Sequence, residues 1–197
     1  MAGRLFTLCA ALLILLAGAG PGSAGSGLVR RSVTGVPVSL AIPGSWRTLS
    51  IPYPLTKAII KKLTAQDPSA SVLNEPSFGS AGVRFIGHEA PNGHFAANVN
   101  LIVQQLHSGE TVAQWLFGAS GKASTPGTTT TLKINGVTAT HFRSTKLEKA
   151  NGVPLLSDIY AFAHGGYVFD FTYTAQAADA QKYQSTFTAS ALSIRFK

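Results

Sequence analysis

Three groups of side chains in this 197-residue sequence could in principle do chemistry. His88, Glu89 and His94 flank the stretch 89–93 (Glu-Ala-Pro-Asn-Gly) and could meet across the mouth of a hairpin loop. Two imidazoles and a carboxylate are donors that zinc or copper accepts, but their spacing matches no closed site. The preferred reading is exposed loop residues and no metal. Asp158 and Asp170 could act as a paired acid and base only if they shared a face, and the register derived below puts them on opposite faces. Asp170 stands mid-strand, so its carboxylate must reach solvent, a partner such as Arg143, or a ligand; solvent or an ion pair is preferred. Gly121-Lys122 looks like the end of a phosphate loop, but Leu116 stands where the first glycine belongs and Ala123 replaces the Ser or Thr. No HExxH, GxSxG or CxxC occurs. A nucleophile needs a base and an orienting group, and no local elbow holds the serines and histidines together. A hydrolase built from dispersed residues (His141, Asp170 and a serine in one cleft) ranks last. The chain is read as no enzyme, with no catalytic residue and no cofactor.

Composition bounds the remaining classes. The length suits one domain of ordinary size. MAGR precedes an apolar run from Leu5 to about Ala17 and then the small residues GAGPGSAGSG, the pattern of a secretory signal peptide, 1–24, cut after Ala24. Cleavage after Ala19 and an uncleaved membrane anchor are the alternatives. Cys9, the one cysteine, lies inside this segment without small residues before it, so lipidation there is not expected and the mature domain must stand on a buried core. The formal charge of +8 favours anionic envelope components. Only 12% of residues are charged and no dense basic run occurs, which argues against nucleic acid.

The elements that would position these groups follow in order. Residues 25–35 read as a flexible leader. Val36, Val38, Leu40 and Ile42 alternate as a half-buried strand, with Pro43-Gly44 as a turn and Trp46 as a core anchor. Pro54 opens a helix through Gln66, with Leu55, Ile59 and Leu63 on one face and Lys57, Lys61 and Lys62 elsewhere. Those lysines leave peripheral membrane contact open, though solvated lysines on a packed helix are preferred. Val83 to His88 and Phe95 to Leu106 read as a second hairpin. The longer strand carries a row of amides, Asn98, Asn100 and Gln104, on one face; it is either a ligand groove or, preferred, a solvated sheet face. Ser108 caps a helix with Val112, Trp115 and Leu116 buried, and Gly118 stops it. Asn135-Gly136-Val137, Asn151-Gly152-Val153 and Gly165-Gly166 then punctuate a four-strand meander. Its last hairpin pairs His164 with Tyr167, Phe162 with Phe169, Tyr160 with Phe171 and Asp158 with Tyr173, so six aromatic rings share one face. A helix, Asp179 through Ser190, and a short strand (Leu192, Ile194, Phe196) close the domain. The fold expected is α+β, an antiparallel sheet with helices on both faces, an α/β/α sandwich over 36–197.

The strand with Pro43-Gly44-x-Trp46, the Asn135-Gly136 turn before a meander, the strand Gly166 to Tyr173, and the closing Phe187 to Phe196 resemble the Mog/PsbP fold. The style is similar to that of the actinobacterial LpqN-like secreted proteins and lipoproteins. The resemblance implies a secreted, periplasmic or cell-envelope accessory or binding protein, with an envelope protein or an anionic envelope component as partner. It brings no functional residue with it, and the chain departs from the lipoprotein pattern in lacking a usable lipobox cysteine. A carrier of a small apolar or amphipathic ligand is the alternative. The candidate partner or ligand surface is Asn98, Asn100, Gln104, Asp170, Lys57 and Lys61.

Overall fold

The structure, a computed structural model, describes residues 27–74, 81–90, 95–118, 127–144, 148–150 and 153–197. The signal segment with Cys9, His94, Gly121-Lys122 and the Asn151-Gly152 turn lie outside the described residues. Among the described residues eleven strands form two antiparallel sheets. The smaller joins β1 (Leu28–Ser32), β2 (Val38–Pro43) and β11 (Arg195–Phe196) in the order β1-β2-β11. The larger runs β3-β4-β5-β10-β9-β7-β6, with β8 (Glu148–Ala150) also on β9. Its members are β3 (Arg47–Ser50), β4 (Val83–His88), β5 (Asn98–Gln105), β6 (Gly127–Ile134), β7 (Val137–Ser144), β9 (Val153–His164) and β10 (Tyr167–Gln176). The helices are α1 (Lys57–Gln66), α2 (Val112–Phe117) and α3 (Ala180–Leu192), with a 3-10 turn over Pro68–Asn74. Among the described residues no helix is long and apolar enough to cross a membrane.

The β9–β10 hairpin has the register that its Gly-Gly pair dictates: His164 faces Tyr167, Phe162 faces Phe169, Tyr160 faces Phe171 and Asp158 faces Tyr173. Gly165 and Gly166 sit at φ 57° and 79°, the left-handed values that a two-residue turn of this hand requires. Asn135 and Gly136 do the same between β6 and β7, at 48° and 84°. Five of the six rings are buried in the main core; Tyr167, at the turn, is 46% exposed. Phe162 meets Phe171 edge-on with centroids 5.9 Å apart, and Tyr173 lies 5.3 Å from Phe187 of α3.

Alternation along each strand sorts the apolar residues into clusters. Val99, Leu101 and Val103 of β5 join the aromatic residues of β9 and β10, Trp46, the small sheet and Tyr183, Phe187 and Ala191 of α3. Pointing the other way, Ile86 and Ile102 pack with Ile60 and Leu63 of α1 and with Ala70 and Leu73 of the 3-10 turn. Ile159, Ala161 and Val168 pack with Leu116, Val112 and Trp115 of α2.

Several expectations need correction. Residues 28–32 are not leader but strand β1, paired with β2 from Leu28↔Pro43 to Ser32↔Ser39. Helix α1 starts at Lys57 and not at Pro54, because the Thr56 side chain accepts from the Ile59 amide as its cap. Helix α2 is capped by Thr111 and not by Ser108. The Thr111 hydroxyl accepts from the Gln114 amide while the Gln114 side chain accepts from the Thr111 amide, a complete capping box.

Candidate functional site

Strands β5 and β10 lie side by side at the middle of the large sheet, with Thr172 opposite Asn100, Thr174 opposite Asn98, Asp170 opposite Ile102 and Val168 opposite Gln104. Asn98, Asn100, Gln104 and Asp170 therefore share one face, as four of the six proposed surface residues. That face is not solvated. Asn98 is fully buried, and Asn100, Asp170, Thr172 and Thr174 are each at most 5% exposed. The apolar clusters around α1 and α2 flank this row, and a third, Phe95 with Leu155, caps one end.

The polar groups of the row are unevenly satisfied. Asn98 Nδ2 donates to the Ala96 carbonyl at 3.1 Å, and the Ser157 and Thr174 hydroxyls meet at 3.3 Å. Gln104 is a tie, donating to the Ala81 carbonyl at 3.0 Å and accepting from Trp115 Nε1 at 3.2 Å. The side-chain oxygens of Asn98 and Asn100 have no hydrogen-bond partner among the described residues. An unsatisfied buried acceptor costs about 1–3 kcal/mol, and two of them fall in this one row. Asp170 does not pair with Arg143; its Oδ1 accepts from Thr172 Oγ1 at 2.9 Å. Burial pushes the Asp170 carboxyl up to about 7, and the Thr172 bond pulls only weakly the other way. Lys57 and Lys61 stand elsewhere, exposed on α1.

Arg143 belongs to Asp158 instead. Its Nε donates to Asp158 Oδ1 at 3.0 Å and its Nη2 to Oδ2, while His141 Nε2 lies 2.8 Å from Oδ1. Burial pushes Asp158 up, but the bonds from His141 and Arg143 outweigh it and hold the carboxyl below its ordinary value. His141 stacks on Tyr160 with centroids 4.3 Å apart, and its Nδ1 meets Thr130 Oγ1 at 3.4 Å. His141 therefore lies with Asp158 on the aromatic face, away from Asp170, and the cleft that would unite them in a hydrolase is not formed.

His88 and Glu89 are not exposed loop residues either. His88 is fully buried and lies 3.2 Å from Asp67 Oδ2, at the end of α1. Glu89 accepts from the Ala97 amide at 3.0 Å and from the Tyr183 hydroxyl. They pin the end of β4 to α1 and α3. Among the described residues no group of three His, Cys, Asp or Glu converges to hold a metal.

The sequence reading passed over one further group. Arg84 stands at a register shift between Val83 and Phe85, and its guanidinium carbon lies 4.0 Å from the centroid of the Tyr53 ring. Its Nε and Nη1 are buried without a hydrogen-bond partner among the described residues. A lone arginine inside an apolar strand was the available signal.

No protein-family model matches the chain, and no curated protein matches it. Solved structures do. The solution structure of the cyanobacterial PsbP (CyanoP) of Synechocystis sp. PCC 6803 aligns over 91% of this chain and 98% of its own, with 13% identity and a TM-score of 0.55. The crystal structure of LpqN, involved in cell envelope biogenesis of Mycobacterium tuberculosis, aligns over 86% of this chain and 91% of its own, with 12% identity and a TM-score of 0.51. The chain has a PsbP-like, LpqN-like α+β fold. At such identity the likeness speaks for the fold.

Proposed function

We propose that this chain is an exported, envelope-associated accessory protein that acts by binding and not by catalysis. The observation that carries the reading is the row of Asn98 and Asn100 acceptors beside Asp170, buried between two apolar clusters and short of donors. The likeness to LpqN, named for its part in cell envelope biogenesis, supports the compartment, as does the signal-like N-terminus. The described helices form two layers in this reading, α3 over the aromatic face and α1 with α2 over the face of the amide row, the α/β/α arrangement the clusters favour. The acid–base groups support binding over chemistry: Asp158 is held by Arg143 and His141, and Glu89 by Tyr183.

Mild crosslinking of the tagged protein in its native envelope, followed by affinity recovery, tests this. An envelope component recovered with the parent and lost with Asn100→Leu supports the proposal; recovery of none contradicts it. A second reading, a carrier of a small amphipathic ligand, draws on the apolar clusters that flank the row. Native mass spectrometry of the purified protein would show a retained small molecule in that case.

A further inference from the structure

The bulge in β4 leaves Arg84 in an unusual position for a cation. Its backbone is fixed, since the Arg84 carbonyl accepts from the Ile51 amide at 2.8 Å and its neighbours Val83 and Phe85 pair with β5. The guanidinium lies over Tyr53, its carbon 4.0 Å from the ring centroid. Burial lowers its basicity, yet two of its nitrogens find no acceptor. An unpaired buried donor on a charged group is costly.

Among the described residues no carboxylate forms an ion pair with it. The chain has eight acidic residues against sixteen lysines and arginines, and the acids near the core are engaged elsewhere: Asp158 with Arg143, Asp170 with Thr172, Glu89 with Tyr183. The cation lies instead against a ring that faces water, Tyr53 at 66% exposure. Tyr and Arg are the side chains that dominate the energetic centres of protein interfaces, because they bring large rigid area together with directional donors.

We propose that Arg84 and Tyr53 form a docking surface for an acidic segment of a partner protein, with one Asp or Glu carboxylate taken by the guanidinium beside the Tyr53 phenol ring. The stoichiometry of charge selects the carboxylate. A single guanidinium matches one carboxylate in a planar, two-point pair. A phosphomonoester carries roughly −1.5 to −2 charges, and an anionic membrane surface recruits clusters of about four to eight basic residues; neither suits one arginine beside a tyrosine. The exposed Tyr53 ring can swing aside, which opens the guanidinium to the entering group. This surface is separate from the amide row, so either can hold while the other fails.

Fluorescence polarisation with a fluorescein-labelled octaglutamate peptide tests the proposal on the purified protein. Binding by the parent should weaken about tenfold in Arg84→Gln, as when one interfacial charge pair is lost. Tyr53→Ala should weaken it too, and Lys61→Gln should change it little. Thermal melting should show Arg84→Gln as stable as the parent or more so, because the substitution removes an unpartnered cation. Equal loss in Arg84→Gln and Lys61→Gln would mean diffuse attraction by net charge and overturns the assignment. So does equal binding of an octaglutamine peptide. Displacement by inorganic phosphate or by phosphatidylserine vesicles at lower charge concentration than by free glutamate also overturns it, in favour of a phosphate or a membrane surface.

Discussion

Asp170→Asn should make the domain more stable at neutral pH, and the gain should depend on pH in a defined way. Asp170 is 5% exposed, bonded to Thr172 and apart from Arg143. Its carboxyl is raised from 3.8 to about 7 by burial. The folded chain thus keeps a proton that the unfolded chain has released between about pH 4 and pH 7. Stability must therefore fall as pH rises through that window, and level off above it. Three pH units correspond to about 4 kcal/mol, a large share of the roughly 5–15 kcal/mol that holds an ordinary domain. An asparagine has a similar shape, still accepts from Thr172 and does not ionise. Urea unfolding of both proteins at intervals from pH 4 to pH 9 measures the difference. The two should agree near pH 4, then separate until the variant leads by up to about 4 kcal/mol above pH 7. A constant difference across the window would refute the reasoning, because it would mean that Asp170 ionises normally and is not enclosed.

Asp158 should behave in the opposite sense. Its depressed carboxyl contributes stability that is present above about pH 4 and lost as pH falls through its folded value. Asp158→Ala should cost about 1–3 kcal/mol at pH 7 in chemical denaturation, discounted because Arg143 is partly exposed, and should flatten the acid limb of the profile. Phe169→Ala, which removes a ring buried against Phe196 at 5.0 Å, should cost about 3–5 kcal/mol in the same assay. Thr111→Ala should lose about 1 kcal/mol with the capping box of α2. Lys61→Ala, on the exposed side of α1, should melt within about 0.5 kcal/mol of the parent.

The hairpin register was legible because it is a local matter. A glycine pair fixes the turn, a period of two fixes the face, and every partner lies within a few residues of the turn. Burial of polar residues was not legible, because it depends on what comes to cover them from elsewhere. Asn98 and Asn100 alternate with Val99 and Leu101 as residues of a half-solvated strand do, and nothing in that stretch announces the clusters that flank them. His88 and Glu89 follow the same logic. Their partners, Asp67 and Tyr183, come from 21 and 94 residues away. Strand β1 was missed for a related reason: Leu-Val-Arg-Arg-Ser carries no alternation of its own and is ordered by pairing with β2. The Thr111 cap was within reach, since Thr-x-x-Gln is the capping-box pattern; Ser108 drew attention because Glu110 would then stand in the first turn.

The pairing of Phe196 with Val38 has a consequence for how the molecule comes into being. The contact closes a loop of about 160 residues, among the slowest steps a chain of this size can take. Val38, Leu40 and Ile42 belong to the same core as Phe187 and Ile194, so that core cannot be sealed while the later residues are still held elsewhere. A chain emerging in order, from a ribosome or through an export channel, would stay unlatched until residues 195–196 arrive. The fold thus defers the closure of its core to β11.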